Sequence, residues 1–262
     1  MRRTLNGKRI LLTGASSGIG AALSEMLAEE GADLVLTARR KDRLQKNAEN
    51  IRKKFPERKI LAVDGDITEE DVRQRAVSAA VSQLGGLDIL INNAGVGAMA
   101  RFEDTTKETL RRIFEVNFFA LFELTQLALP HLKQGAQPLV VNLSSIVGLR
   151  GVPHYSVYGA AKFAVSGLSE SMRAEFSRYG IGVLLVCPGT TQTEFFDVLQ
   201  QSTSAPNLPP HRPVTAESVA KRIVQAMKKD KHKIIPYFPA ALLDFGNRRV
   251  PRLIDRLMNR YA

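Results

Sequence analysis

Tyr158 and Lys162 stand four residues apart in Tyr158-Gly159-Ala160-Ala161-Lys162, thirteen residues beyond the end of the pair Ser144-Ser145. Side chains at i and i+4 share a helical face, so the Lys162 ammonium can lie beside the Tyr158 phenol. A phenol holds its proton to about pH 10, and a neighbouring cation lowers that value by stabilising the phenolate. The pair therefore predicts a tyrosine that exchanges protons near neutrality. Tyr155 has no lysine at i+4 and reads as a packing or pocket-lining residue. Taken alone, Tyr158 would be an ordinary amphipathic helix residue; its surroundings give it weight.

A second cluster could hold phosphate. An apolar strand runs into Thr13-Gly14-Ala15-Ser16-Ser17-Gly18-Ile19-Gly20 and then a helical pattern. Glycines permit a tight turn and close backbone approach, and a helix N-terminus presents free N–H groups to a pyrophosphate. The spacing is TGxxxGxG, not the commoner GxGxxG. At the end of the second strand, where an NAD site usually carries a carboxylate for the ribose 2′-hydroxyl, stand Ala38, Arg39 and Arg40. Guanidinium groups grip a 2′-phosphate, so NADP(H) is expected over NAD(H). The alternative is that Arg39 and Arg40 only begin a solvated basic helix over 39–54.

The elements that must position these residues alternate along the whole chain. Strands are expected at 9–13, 33–37, 59–63, 87–92, 139–143, 183–187 and 233–237, with amphipathic helices at 19–30, 69–84, 106–132, 155–179 and 216–229. Continuous apolar strands separated by helices predict an α/β, doubly wound, Rossmann-type domain with about seven parallel strands covered on both faces. No break in composition divides residues 1–262, and one domain is expected. The stretch 200–213 is rich in Pro, Ser and Thr, and the segment 194–213 is read as a substrate loop over the strands' carboxyl ends. A passive surface loop is the alternative.

The chain has 262 residues and a net charge of +11, favouring anionic partners without choosing among them. The lone Cys187 ends an apolar run, which excludes a disulfide framework and suits a reducing, cytoplasmic compartment. Four scattered histidines have no metal-ligand spacing, so no metal is expected. The N-terminus lacks the apolar core of a signal peptide, and no run reaches the roughly 18 apolar residues of a membrane span. There is no recognised nucleic-acid module.

Together these residues resemble the short-chain dehydrogenase/reductase family over 8–229. Five motifs agree in order: the glycine turn, Asp66-Ile67-Thr68, Asn92-Asn93-Ala94-Gly95, Ser145 with Tyr158 and Lys162, and Pro188-Gly189-Thr190-Thr191-Gln192-Thr193. The resemblance implies that Gly14, Ser16, Ser17, Gly18, Ile19, Gly20, Arg39, Arg40, Asp66, Ile67, Asn93, Ala94 and Gly95 bind the adenosine and phosphate portion. It places Pro188, Gly189, Thr191 and Thr193 at the nicotinamide, with Tyr158 and Lys162 touching it as well. It selects Ser145 over Ser144, and matches Asn117 to an asparagine that anchors a proton-relay water. Catalysis would then rest on Asn117, Ser145, Tyr158 and Lys162: donors aimed at a carbonyl oxygen lower the barrier to hydride arrival at its carbon, and Tyr158 delivers the proton.

The expected function is thus an NADP(H)-dependent oxidoreductase for a partly hydrophobic ketone or secondary alcohol of lipid, steroid or acyl type. Two alternatives stay open: a 3-ketoacyl-carrier-protein-type reductase steered by basic surface, and a non-catalytic NADPH-sensing protein. The helices over 106–132 and 155–179 are expected, by the resemblance, to form a homodimer or homotetramer interface. From Lys228 onward nine Lys or Arg face three acids. In the tail 238–262, Leu253, Ile254, Leu257, Met258 and Tyr261 recur on one helical face among arginines. Docking on protein is the primary expectation, and peripheral membrane contact the second.

Overall fold

The computed structural model describes residues 3–196, 199–202 and 213–261. Of the expected substrate loop, 197–198 and 203–212 lie outside the described residues. Strands β1 (Arg9–Thr13), β2 (Asp33–Ala38), β3 (Ile60–Asp64), β4 (Ile89–Asn92), β5 (Leu139–Leu143) and β6 (Gly182–Val186) alternate with helices α1 (Gly18–Glu29), α2 (Lys41–Lys54), α3 (Glu70–Leu84), α4 (Lys107–Phe114), α5 (Ala120–Leu132) and α6 (Ser156–Ser177). Two-residue strands β7 (Thr191–Gln192) and β8 (Val214–Thr215) pair with each other, and helix α7 (Ala216–Lys228) leads to β9 (Lys233–Ile234). Helices α8 (Phe238–Arg249) and α9 (Pro251–Met258) follow.

The main sheet has seven parallel strands in the order 3-2-1-4-5-6-9. Because successive side chains point to opposite faces, each strand feeds two cores. Ile10, Leu12, Leu34 and Leu36 pack against Leu23, Leu27, Leu44 and Val219 of α1, α2 and α7. Leu11, Val35, Leu90 and Val140 pack against Ala76, Leu124, Ala128 and Phe176 of α3, α5 and α6. This is a Rossmann-like α/β fold, and its strand order reverses between β1 and β4, where a ligand crevice opens beyond the carboxyl ends.

Local chemistry sets the boundaries. The Thr106 hydroxyl accepts from Thr109 N at 3.1 Å to start α4, and Thr215 does the same for Ser218 N at 3.2 Å to start α7. Helix α3 stops at Gly85, whose φ of 82° is left-handed. The long expected helix over 106–132 exists but carries a π-helical turn, Glu115–Phe119, between α4 and α5. By length and composition Lys107–Leu132 is long and apolar enough to cross a bilayer, yet its inner face, Ile113, Ala120, Leu124, Ala128 and Leu132, is core. Cys187 follows β6 fully buried, and burial pushes its thiol up to about 12.

Candidate active site

The glycine turn is folded on itself. Gly14 and Gly18 have φ of 71° and 53°, and a Cβ at Gly20 would lie 2.2 Å from the Gly14 carbonyl oxygen. The Asn93 side chain is committed to building this turn: its amide donates to the Thr13 and Gly14 carbonyls at 2.8 and 3.1 Å. The Thr13 hydroxyl accepts from the N–H groups of Asn93 and Ala94 at 3.0 and 2.9 Å, fastening the ends of β1 and β4 together. Ser17, at the N-cap of α1, makes no capping bond with its side chain, so the first N–H groups of α1 stay available to an anion.

At the end of β2, Arg39 is exposed and lines the cavity. Arg40 turns back over the glycine turn, donating to Ser16 Oγ at 3.3 Å and to Ser17 Oγ. Its other arm meets Glu194 at 2.7 Å, and Arg43 meets the same carboxylate oxygen. The two arginines hold the Glu194 carboxyl below the usual carboxylate range. Sequence reasoning missed both Arg43 and Glu194; the first lies one turn beyond Arg40, but nothing in the sequence connects residue 194 to residue 40. Asp66 is braced by Thr68 N and Oγ at 3.0 and 2.9 Å and by Arg112. Burial would raise its carboxyl, but these hydrogen bonds outweigh it and hold the group low. Ile67 is buried beside it and lines the cavity.

Beneath the reactive end lies a buried polar lattice that the sequence did not announce. Asn92 and Asn142 are register partners on β4 and β5. Asn92 donates to Asn142 Oδ1 at 2.9 Å and to Thr125 at 3.0 Å, and Asn142 donates to Ser169 at 3.0 Å. The network ties β4, β5, α5 and α6 together under the site, and its bonds satisfy groups that would be costly to bury alone.

Ser144 and Ser145 part company at the end of β5. Ser144 Oγ donates to the Lys162 carbonyl at 2.8 Å and pairs with Ser166 Oγ at 3.0 Å, which makes it a strut. Ser145 caps the 3-10 turn Ile146–Gly148, accepting from Val147 N at 3.3 Å, and lines the cavity together with the Tyr158 phenol. Lys162 is 4% exposed; its Nζ donates to the Leu143 carbonyl at 2.9 Å and sits 5.8 Å from the centre of the Tyr158 ring. Here the structure corrects one expectation. Burial pushes the Tyr158 phenol up from its ordinary value, the Ser145 hydrogen bond offsets part of this, and nearby Tyr155 adds to the rise. Burial pulls Lys162 itself down to about 8, and its ammonium donates to the Leu143 carbonyl, so at the phenol burial outweighs the neighbouring cation.

Asn117 lies in the π-helical turn, a device often found at functional sites. Its amide donates to the Val96 and Ile113 carbonyls at 2.8 and 2.9 Å. Its Oδ1 is buried without a hydrogen-bond partner among the described residues. A Cβ on Gly95 would lie 2.8 Å from that oxygen and 3.5 Å from Lys162 Nζ, so donor and acceptor flank one narrow space of the kind that suits a bridging water.

The loop after β6 closes the site. The Pro188 carbonyl accepts from Ile146 N at 2.9 Å, and Thr191 Oγ1 donates to the Gly189 carbonyl at 3.0 Å. Thr193 presses on the glycine turn, where a Cβ at Gly18 would come within 2.9 Å of its methyl. The Tyr237 ring covers Gly189 so closely that a Cβ there would be 2.3 Å away. All four expected nicotinamide-end residues, Pro188, Gly189, Thr191 and Thr193, line one cavity of about 970 Å³ with the glycine turn, Arg39, Arg40, Ser145, Tyr158 and Lys162. Polar side chains such as Thr37, Asp66, Asn93 and Glu194 line the same cavity, and an apolar portion lies beyond them. Tyr155 and Phe195 come from expected positions, and Val152 joins them, whereas Leu243, Leu257 and Met258 belong to α8 and α9. The tail lies against its own chain and forms a roof over the cavity that sequence reasoning did not foresee.

These residues suit a nicotinamide dinucleotide: a glycine cradle that any Cβ would fill, an open helix N-terminus, and an orphaned buried acceptor beside a buried lysine. A family model described as short chain dehydrogenase matches residues 8–204. The ketoacyl reductase HetN of Nostoc sp. is 33% identical over 233 residues, spanning 88% of this chain and 79% of that one. The 3-ketodihydrosphingosine reductase of Bacteroides thetaiotaomicron is 37% identical over 188 residues, 72% of this chain and 65% of that one. Among solved structures, a short-chain dehydrogenase from Sphingobium yanoikuyae in complex with NADPH superposes with a TM-score of 0.80 at 31% identity, covering 95% of each chain. A Burkholderia phymatum short chain dehydrogenase/reductase in complex with NAD reaches 0.86 at 23% identity over 96% of each, a likeness of fold. The chain belongs to the short-chain dehydrogenase/reductase family and is an oxidoreductase that acts on carbonyl or alcohol groups with NAD(P).

Proposed function

We propose that the protein is an NADPH-dependent carbonyl reductase for a partly hydrophobic ketone of lipid or acyl type, reversible as an alcohol dehydrogenase. The observation that carries this reading is the convergence of Ser145, Tyr158 and Lys162 on one cavity that runs from the glycine turn and two arginines to an apolar roof. The bound cofactor supplies the hydride. Ser145 and Tyr158 present hydroxyls to the substrate oxygen, where negative charge grows as the carbonyl carbon is reduced. Tyr158 gives up its proton as the general acid. Its raised proton affinity suits a group that must remain protonated until the substrate oxygen becomes basic. Lys162 then offsets charge on the phenol oxygen, and Asn117 Oδ1 holds the water through which a proton returns.

Cofactor choice follows from the donors at β2. Ala38 offers no acceptor for a 2′-hydroxyl, whereas Arg39, Arg40 and Ser16 are matched to a 2′-phosphate. Substrate class follows from Val152, Phe195, Leu243 and Met258, which favour a chain or ring over a small polar ketone. A second reading is favoured by the net charge of +11 and the similarity to a ketoacyl reductase: a 3-ketoacyl group presented on an acidic carrier.

The test is a panel of short, long-chain, steroid and carrier-bound ketones with NADPH and with NADH, followed by cofactor absorbance. Reduction of long-chain ketones with NADPH supports the reading. Turnover of carrier-bound substrates alone transfers it to the second, a preference for NADH removes the cofactor assignment, and silence across the panel removes the reaction.

A further inference from the structure

Helices α8 and α9 face two ways. Ala240, Leu243 and Met258 turn to the cavity. Phe238, Leu242 and Phe245 recur at i, i+4 and i+7 along α8 and are 76%, 60% and 57% exposed. Exposed apolar residues continue through Val250 at the corner to Leu253 on α9, 61% exposed. Aromatic and aliphatic side chains concentrated in this way on two short helices mark an interaction surface.

Charge accompanies the apolar residues. Arg248, Arg249, Arg252, Arg256 and Arg260 are all exposed on these helices or the turn that follows. The two acids here are already engaged, Asp244 by Lys233 and Arg248, and Asp255 by Arg150. Arg249 lies over the Phe245 ring at 5.1 Å. Among the described residues, Arg249, Arg252, Arg256 and Arg260 have no carboxylate partner.

We infer that the outer side of α8 and α9 is a docking face for an anionic phospholipid bilayer, and that the roof it forms takes a lipid ketone from that bilayer. Phenylalanine and leucine enter the acyl boundary while unpaired arginines meet the phosphates, the combination that holds an interfacial helix in place. A second copy of the chain fits less well, because a two-fold contact would set one group of uncompensated arginines against another. Other apolar side chains, Phe119, Phe122 and Phe163 on the π-turn, α5 and α6, are available for self-association. The inner side of the same helices lines the cavity, so the depth of lipid insertion and the substrate's entrance share one element. Docking does not depend on the reaction; lipid delivery rests on the ketone reduction proposed above.

The experiment is flotation of the full chain with vesicles of phosphatidylcholine mixed with phosphatidylglycerol and with phosphatidylcholine alone. The wild type floats with the mixed vesicles, and high salt or neutral lipid reduces this. A triple Leu242→Ser, Phe245→Ser, Leu253→Ser variant and a quadruple variant carrying Gln at 249, 252, 256 and 260 each lose about tenfold or more of the binding. The arginine changes lie on the surface, so folding does not confound that arm. Failure of the wild type to float, or undiminished binding by the quadruple variant, overturns the docking face. Variants that change molecular mass by light scattering without changing flotation assign the face to a second copy and also overturn it. In the delivery arm, both variants lose about tenfold on a long-chain ketone held in vesicles and keep their rate on a short soluble ketone. Equal rates on both ketones overturn delivery. A chain that floats but reduces neither ketone keeps the docking face and refutes the reaction.

Discussion

Arg40 and Glu194 are joined across 154 positions of sequence, guanidinium to carboxylate at 2.7 Å, with Arg43 sharing the same oxygen. A carboxylate from the loop after β6 thus sits on the arginine that the proposed NADPH site assigns to the 2′-phosphate. Glu194 is an internal anion that lines the cavity, and in the proposed NADPH site the 2′-phosphate would compete with it.

The first prediction is that Glu194→Gln tightens NADPH binding by about three- to tenfold and leaves NADH nearly unchanged, as removal of an exposed competing charge should. Arg40→Ala acts in the opposite sense and weakens NADPH selectively. Fluorescence titration of both cofactors against the three proteins measures this. Equal changes for NADPH and NADH would show that Arg40 and Glu194 shape the loop without reading the phosphate.

Tyr158→Phe removes the proton donor and keeps the ring that packs against Phe195 at 5.5 Å. Turnover should fall by about 10²–10⁴, the usual worth of general acid catalysis, with dinucleotide affinity changed by no more than about twofold. Single-turnover absorbance and fluorescence titration separate the two effects, and substantial activity in this variant would falsify the proton-donor role.

Lys162 links pH to stability. Burial pulls its value from 10.5 in the open chain to about 8 in the fold. Below pH 8 both states carry the proton, and the folded state bears the full cost of a buried ammonium. Between pH 8 and 10.5 the folded chain releases the proton while the unfolded chain keeps it, so this penalty shrinks as pH rises. Lys162→Met should therefore stabilise the protein at pH 7 by roughly 2 kcal/mol, the pKa term less the lost bond to Leu143. Its advantage disappears towards pH 10, and its activity is abolished. Thermal melts across that range check the sign; a variant less stable than wild type at pH 7 and equally unstable at pH 10 would reject this account.

Asn117→Ala removes both hydrogen bonds of the side-chain amide, one to Val96 in the loop after β4 and one back to Ile113 in α4, together with the orphaned acceptor near Lys162. The chain should lose roughly 1–3 kcal/mol of stability, because two buried hydrogen bonds to the Val96 and Ile113 carbonyls are lost. Turnover should fall with little change in KM. Asn117→Asp cannot donate as the amide does, yet it restores an oxygen at Oδ1. Recovery of kcat in this variant without recovery of stability separates the proton path from the scaffold.

Where the sequence was legible, it was because local chemistry and tertiary placement agreed. Alternating apolar strands announced the doubly wound sheet, and the glycine spacing announced a turn whose Gly14 and Gly18 do adopt positive φ. The Tyr158–Lys162 spacing correctly placed both residues on one face of α6, but it mispredicted the electrostatics. An i+4 lysine can bond elsewhere, and Leu143, nineteen residues back, is its hydrogen-bond partner. The π-helical turn has no sequence signature, so 106–132 read as one regular helix. The seventh strand stops at Ile234, short of Tyr237, because it pairs with β6 over only two positions. Helix α8 escaped detection because apolar residues occupy both of its faces, one toward the cavity and one outward, which erases a one-sided stripe. Long-range ionic pairs such as Arg40–Glu194 and Arg112–Asp66 exist only once the sheet has brought loops together.

Leu257 and Met258 carry a final implication for biosynthesis. A nascent polypeptide that has emerged only as far as Arg249 already contains its glycine turn, Ser145, Tyr158 and Lys162, but not these two roof residues. A chain that ends at Arg249 would thus keep the wall contributed by Ala240 and Leu243 and lack the one contributed by Leu257 and Met258.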